Sequence, residues 1–515
     1  MDFHAQNSIF YFAKASGILS PLLVEFSIKS RDNVQDNRNF PANPEKTAMS
    51  SPTLQPVALP PLPPIASPDG EIPINRRRAR KSPAWIVDGV IYQIMPRAFT
   101  KEGTLKAARA RLPKLAELGV TVIYLCPVFV SDDDPDPNGW SPRQKLSGMN
   151  NPRNPYRLKD YYHVDPEYGT DADLKAFVKT AHSLGLRVLL DVVFLHCGPN
   201  AVFLKDHPDF VKRDEKGEII PAPWGFPALN IENEALRNYL FDSMAHCIRA
   251  YDVDGFRMDT ADRLPIDLWE EARRRMERLR PDVAFFAEGM RKENDLYAFD
   301  LGYGRGDPYT AMDNAAALRE YWEIIHRSRP VGGARYARYI DNHDFANDDY
   351  ENRIEKRWGA AKVEASLAIF FTLDGVPFLY NGQEVADTAR HSMYGNLPVD
   401  WANGRTAAGK ARFAFCQRLC ALRRQEPALT RGAVTWLETN APASILAFKR
   451  QFQNRSVVSI ANMTDKTARV EVTLGRGAWA PLLASGVSGD GRGAFVFEPH
   501  GYFVAIPVSK KSKRK

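Results

Sequence analysis

Arg257 and Asp259 stand two residues apart in the stretch Asp252-Val253-Asp254-Gly255-Phe256-Arg257-Met258-Asp259-Thr260-Ala261-Asp262-Arg263. Val253, Phe256 and Met258 make this apolar enough for a short buried strand, and the two-residue period turns Arg257 and Asp259 to one side of it. A charged pair ending an apolar strand is costly unless the fold satisfies it or a reaction uses it. Taken alone, it reads equally well as a structural ion pair. Three other stretches repeat the design: Asp191 and His196 after Leu189-Leu190, Glu288 after Phe285-Phe286-Ala287, and His343 with Asp344 after Ile340-Asp341-Asn342. Asp191 and His196 could each simply fix a loop, and His343 alone could be a satisfied core histidine. Four acids gathered on one rim are different, because packed carboxylates repel unless a cation or a reaction holds them.

The elements that must gather them are visible in the hydrophobic pattern. From Trp85 onward, short β-rich runs alternate with amphipathic helical stretches. Strands are expected at 89–95, 120–125, 187–193, 253–258, 283–287, near Phe299, at 336–340 and at 376–380. Helices are expected at 105–118, 171–184, 235–251, 268–279, 311–326, 360–373 and 407–424. About eight such units imply a parallel sheet closed as an α/β (β/α)8 TIM barrel over residues 83–426, and such barrels build their sites at the C-terminal strand ends. Two long excursions interrupt the alternation, at 129–169 and, as a small inserted subdomain, at about 196–226 after the third strand. After Pro427 only strands follow, which predicts a separate C-terminal antiparallel β-sandwich at 427–508. Residues 1–82 read as a disordered, Pro-rich leader and 509–515 as a basic tail, and Met49 is an alternative start.

Composition excludes several function classes. The net charge of +7 comes from two runs of five cations, Arg76 to Lys81 and Lys510 to Lys515; without them the chain is slightly acidic. A nucleic-acid binder would carry its charge on the folded surface, so no nucleic-acid partner is expected. Both runs read as solvated ends. Cys126, Cys197, Cys247, Cys416 and Cys420 form no CxxC pair, which argues against a disulfide framework or a zinc site and favours a reducing, cytoplasmic compartment. No apolar run reaches the roughly 18 residues of a membrane helix, and residues 8–25 make a poor secretory signal. Gly302, Gly304 and Gly306 lack dinucleotide-binding spacing and read as a turn.

In this order the segments resemble the conserved regions of the α-amylase family, glycoside hydrolase family 13. Asp191-Val192-Val193-Phe194-Leu195-His196 is similar to the first region, Gly255-Phe256-Arg257-Met258-Asp259 to the second, Glu288 to the third and Asn342-His343-Asp344 to the fourth. Phe226-Pro227-Ala228-Leu229-Asn230 resembles the fifth. Tyr156-Arg157-Leu158-Lys159-Asp160-Tyr161-Tyr162 and Val376-Pro377-Phe378-Leu379-Tyr380-Asn381-Gly382-Gln383-Glu384 resemble further family segments. The resemblance implies a retaining α-glycoside hydrolase of carbohydrate metabolism, acting on α-1,4-linked glucans or maltooligosaccharides, the starch and glycogen class, through a covalent glycosyl-enzyme. Asp259 would be the nucleophile, kept ionised by Arg257. Glu288 would be the acid/base, its apolar flank favouring the protonated form, and Asp344 the transition-state stabiliser. Tyr156 would stack under the sugar, with Asp191, His196, Arg257 and His343 binding it.

The resemblance has gaps that matter. Leu195 stands where many members carry a calcium-binding Asn, so no cofactor is expected and calcium is doubtful. Asp262-Arg263 replaces Lys-His, Ala228 replaces a polar residue, and Gly289-Met290 follows the acid where an aromatic residue is often found. Arg157 stands where members that remove single glucoses carry an Asp; whether it faces the sugar or turns to pair with Asp132, Asp133 or Asp134, that grip is missing. A glucanotransferase with the same catalytic residues is the close alternative. A non-catalytic carbohydrate-binding homologue is the distant one, since such members lose the residues kept here as Asp259, Glu288 and Asp344.

Overall fold

The computed structural model describes residues 73–304, 311–348, 353–475 and 477–508. Eight strands form a closed parallel barrel in sequence order: β1 (Ile91–Ile94), β2 (Val122–Leu125), β3 (Arg187–Val192), β4 (Gly255–Met258), β5 (Ala284–Ala287), β6 (Leu301–Tyr303), β7 (Arg335–Arg338) and β8 (Val376–Tyr380). The continuous apolar sequences of β2, β5 and β8 fit strands covered on both faces. The main crossover helices are α1 (Leu105–Leu118), α2 (Asp171–Ser183), α3 (Glu234–His246), α4 (Ile266–Leu279), α5 (Ala315–Ser328), α6 (Ile354–Thr372) and α7 (Ala407–Gln425). Local signals fix their ends. Thr104 caps α1 by accepting from the Ala107 N–H, and Thr170 with Asp173 forms a capping box on α2.

Two features around β4 set the site. Past α3 the chain winds into one π-helical turn, Cys247–Tyr251, and leaves it through Asp252 at φ 64°. Gly255 then opens β4, where a Cβ would lie 2.1 Å from the Ala284 carbonyl oxygen; only glycine lets β4 approach β5 this closely. In the resulting register Asp191 of β3 lies beside Arg257 of β4, and Arg257 beside Phe286 of β5. Alternation therefore sends the Asp191 and Arg257 side chains to the same, inner side of the wall.

The strand expected near Phe299 is β6, two residues later, preceded by a single helical turn, Asn294–Tyr297. That brevity left no helical period to read. Gly302 lies within β6 rather than in a turn, and Gly306 lies outside the described residues. Helix α6 starts six residues before the expected 360, its first turn set off by a kink at Gly359.

The C-terminal strands β9 (Ala433–Trp436), β10 (Ile445–Phe452), β11 (Arg455–Asn462), β12 (Ala468–Glu471), β13 (Trp479–Gly489) and β14 (Ala494–Pro507) form an antiparallel sheet. The long β14 pairs with β12 through its first half, with β11 through its second, and with β13 along both. The sheet is less separate than expected. Ile445, Ala447, Val458, Ile460 and Phe503 form its own core, while the alternating Leu446, Phe448, Val457, Ala461 and Val504 join the core of the barrel.

The leader also ends earlier than expected. Residues 73–82 are described and ordered against the barrel: Ala79 donates to the Val331 carbonyl at 3.0 Å and Arg80 to the Leu296 carbonyl at 2.8 Å. The Arg80 side chain pairs with Glu277 and Asp300, so this cation belongs to the fold and not to a solvated run. The expected leader at 1–72 and the basic tail lie outside the described residues. Among the described residues no helix is long and apolar enough to cross a membrane.

Candidate active site

Arg257 is the hub. Its guanidinium is fully buried, and Nη1 donates to both Asp191 oxygens at 2.8 and 2.9 Å and to Asp259 Oδ1 at 3.0 Å. Nη2 lies 2.9 Å from Glu288 Oε2. Burial works against its charge, but Asp191 and Glu288 outweigh burial and raise its pKa well above the ordinary value. One arginine thus brings three of the four rim acids together, as the β3–β4–β5 register dictates.

Exposure separates groups that can touch a substrate from groups that support them. Side-chain exposure is 25% for Asp344, 12% for Glu288 and 9% for Asp259, but zero for Asp191 and Arg257. Both Asp191 oxygens are taken, since the hydroxyls of Tyr124 and Tyr156 also donate to Oδ2 at 2.7 and 2.9 Å. Burial pushes Asp191 up to about 6 despite Arg257. Asp191 and Arg257, expected to bind sugar, instead hold the other groups in place.

His343 is likewise consumed. Gln93 accepts the His343 backbone N–H at 3.2 Å, which fixes its amide so that Nε2 donates to His343 Nδ1 at 2.7 Å. Burial pushes His343 down to about 4, so near neutral pH its single ring proton is on Nε2. That proton is donated to the Tyr156 hydroxyl at 2.6 Å, which in turn donates to Asp191. The relay Gln93–His343–Tyr156–Asp191–Arg257 is satisfied at every link. Tyr156 is only 9% exposed and one face of its ring stacks on His343, with centroids 5.3 Å apart, so that face is closed to a sugar. Gln93 escaped sequence reading, although a lone amide in the apolar strand Ile91-Tyr92-Gln93-Ile94 was a usable signal.

His196 differs. Its Nε2 donates to the Tyr156 carbonyl at 2.7 Å, while Nδ1 has no partner among the described residues. Burial pushes this ring down to about 4, so the bare Nδ1 is an acceptor.

Arg143, on the β2 excursion, pairs with Asp344 at 2.6 Å. Burial opposes ionisation of Asp344, but the charges of His343, Arg143 and Arg257 outweigh it and hold it down to about 2. Because His343 is itself neutral above about 4, Arg143 is the partner that counts near neutral pH. Nothing in the spacing around Arg143 marked it, because the contact spans 201 residues.

The nucleophile candidate behaves otherwise. Burial and the charge of Glu288 push Asp259 well up, against the pull of Arg257. Arg257 alone therefore does not offset burial and the Glu288 charge. Glu288 is also less apolar in its surroundings than its flank suggested, because the Thr260 N–H donates to Oε2 at 2.7 Å. Thr260 is held at φ 45°, a conformation a β-branched residue rarely adopts, directly after Asp259.

The departures also resolve. Arg157 turns away from the cleft and is fully buried in its own loop, donating to the carbonyls of Gly139, Asp132, Asp134 and Pro152 at 2.9–3.3 Å, with Asp132 Oδ1 at 3.8 Å. The Leu195 side chain is packed in the core and its carbonyl accepts the Leu229 N–H at 3.1 Å, so it offers a calcium ion no side-chain oxygen. The residues present there do not fit the family's calcium. Asp262 turns from the acceptor side to the loop after β5, and Arg263 lies 6.0 Å above the Trp224 ring.

Comparison with known proteins agrees with this fold. A family model described as the catalytic domain of alpha-amylase matches residues 77–216. A cyclomaltodextrinase from Geobacillus thermopakistaniensis is 26% identical over 464 residues, spanning 79% of this chain and 74% of that protein. The solved α-amylase of Geobacillus thermoleovorans, complexed with acarbose, is 25% identical with a TM-score of 0.67, covering 84% of this chain and all of that one. A maltogenic α-amylase from Thermotoga neapolitana, 23% identical, shares the fold at a TM-score of 0.69 over 82% of this chain and 99% of its own.

Proposed function

We propose that this chain, which belongs to the α-amylase family, is a retaining glycoside hydrolase of α-1,4-linked glucans and maltooligosaccharides. The observation that carries the reading is the pair Asp259 and Glu288 on neighbouring nitrogens of one guanidinium. A retaining pair needs carboxyls about 5–5.5 Å apart, and sharing a guanidinium supports such a side-by-side arrangement. Asp259 attacks the anomeric carbon, and Glu288 protonates the leaving oxygen. For this step Glu288 carries the proton while Asp259 is the anion, hydrogen-bonded to Arg257. Glu288 then takes a proton from the incoming water. Asp344, already ionised, receives the sugar hydroxyls. Transfer to a sugar acceptor would use the same groups. Product analysis on starch, pullulan, maltooligosaccharides and trehalose tests the reading. Release of the α-anomer from α-1,4 glucans is expected; β-anomer release, or no turnover of any of them, would refute it.

Attack within a chain, or release of maltose-sized units, is expected rather than removal of single glucoses. Arg157 offers a terminal glucose no acceptor, and one such charge-assisted hydrogen bond is worth about 1.5–3 kcal/mol, roughly ten- to hundredfold. A maltoheptaoside blocked at its non-reducing end should be cleaved at least about tenfold faster than a short aryl α-glucoside. Fast release from the aryl glucoside with none from the blocked chain would contradict this.

No cofactor enters the mechanism. Arg157, seated among carbonyls, supports a loop tied by an internal cation. Chelator is therefore expected to leave activity and Tm unchanged; a large loss restored by calcium would overturn this. Five buried, unpaired thiols support a reducing compartment such as the cytoplasm.

A further inference from the structure

We propose that Asp262 is a positioning residue for the proton donor: together with Arg291 it clasps the loops after β4 and β5, so that Glu288 faces the scissile oxygen beside Asp259. The inference rests on the roles proposed above for Asp259 and Glu288. Asp262 Oδ2 accepts the backbone N–H groups of Met290 and Arg291 at 2.7 and 3.1 Å, and Oδ1 accepts from Asn294 Nδ2 at 2.9 Å. The clasp is reciprocal. The Arg291 guanidinium donates back to the Asp262 carbonyl and, at 3.2 Å, to that of Leu264. Side chain to backbone in both directions, the nucleophile's loop and the acid's loop hold one another.

Gly289 is the second half of the device. A Cβ on Gly289 would lie 2.1 Å from Asp262 Oδ1, so the carboxylate occupies the space that any larger residue next to Glu288 would need. The aromatic residue often found near this position and the Lys before the Arg263 position are thus exchanged together: Asp262 supplies the anion, and Gly289 with Met290 supplies the room and the N–H. On the other side the Thr260 N–H, presented by its left-handed backbone, holds Glu288 Oε2 at 2.7 Å. The acid is therefore aimed by two residues of the loop that follows Asp259, Thr260 directly and Asp262 through the clasp.

The leaving group separates aiming from general support. A sugar leaving group needs its proton, whereas fluoride departs almost unaided, so in the glycosylation step a badly aimed acid hurts only the first. In Asp262→Asn the amide keeps the shape but can accept at one oxygen only. General acid catalysis contributes about 10²–10⁴-fold. The kcat of Asp262→Asn on maltoheptaose is expected to fall about 100-fold with KM within about threefold, while the single-turnover rate of fluoride release from α-maltosyl fluoride falls less than about fivefold. Gly289→Ala, which evicts the carboxylate without removing it, should show the same split and serves if the first variant does not fold. Glu288→Gln is the reference. If Glu288→Gln loses single-turnover fluoride release as fully as maltoheptaose cleavage, the reading of Glu288 as the acid fails. If it shows the split while Asp262→Asn and Gly289→Ala lose both equally or neither, the clasp is overturned and the reading of Glu288 stands.

Discussion

Asp259→Asn is expected to lower kcat on maltooligosaccharides by roughly four to six orders of magnitude, the range in which loss of a catalytic nucleophile falls, while the protein folds normally. The amide matches the carboxyl in shape and can still accept from Arg257 Nη1, now 3.0 Å from Oδ1. Stability should be equal or slightly higher. Asp259 is pushed up by burial and by the charge of Glu288, so its ionised form is disfavoured in the fold, and a neutral amide removes that cost. Rise or constancy of Tm together with loss of turnover is the signature of a group kept for chemistry. A folded Asp259→Asn protein with near-normal turnover would refute the assignment.

Arg257→Met is expected to reverse that balance, with stability lost as well as activity. Removing the guanidinium strands the Asp191, Asp259 and Glu288 carboxyls, and breaking a buried pair costs about 3–5 kcal/mol. The pH dependence has a definite sign. Asp191 is already up at about 6 with Arg257 present, and without it moves higher still. A carboxyl whose folded pKa lies above its unfolded value favours the fold at low pH and loses that support as pH rises through the folded pKa. The gap in urea midpoint between Arg257→Met and the wild type should therefore be smallest near pH about 5 and widen toward pH about 8. A gap independent of pH would mean that the loss is one of packing alone.

The sequence disclosed what strand geometry imposes and missed what loops supply. Asp191, Arg257, Asp259 and Glu288 were legible because apolar runs of strand length end in them, and parallel strands in register must bring such ends together. Their division of labour was not. Asp191 and His343 carry the residue types of sugar ligands, yet Tyr124, Tyr156 and Gln93 consume their polar atoms, and those partners lie up to 250 residues away. Arg143 on Asp344 and Asp262 beneath Gly289 escaped for the same reason, being contacts between loops whose paths no periodicity encodes. At the amino-terminal side the error was one of composition. A basic run looks solvated until a buried acid, Asp300, with the half-buried Glu277 beside it, is found waiting for one of its members.

The most direct test of the account is to catch the glycosyl-enzyme. Glu288→Gln should still be glycosylated by α-maltosyl fluoride, because fluoride leaves without a proton, but should release the sugar slowly for want of a base. Mass spectrometry of the quenched protein should find one maltosyl group, on the peptide containing Asp259. A maltosyl group on any other residue, or none in a variant that still turns the fluoride over, would contradict it.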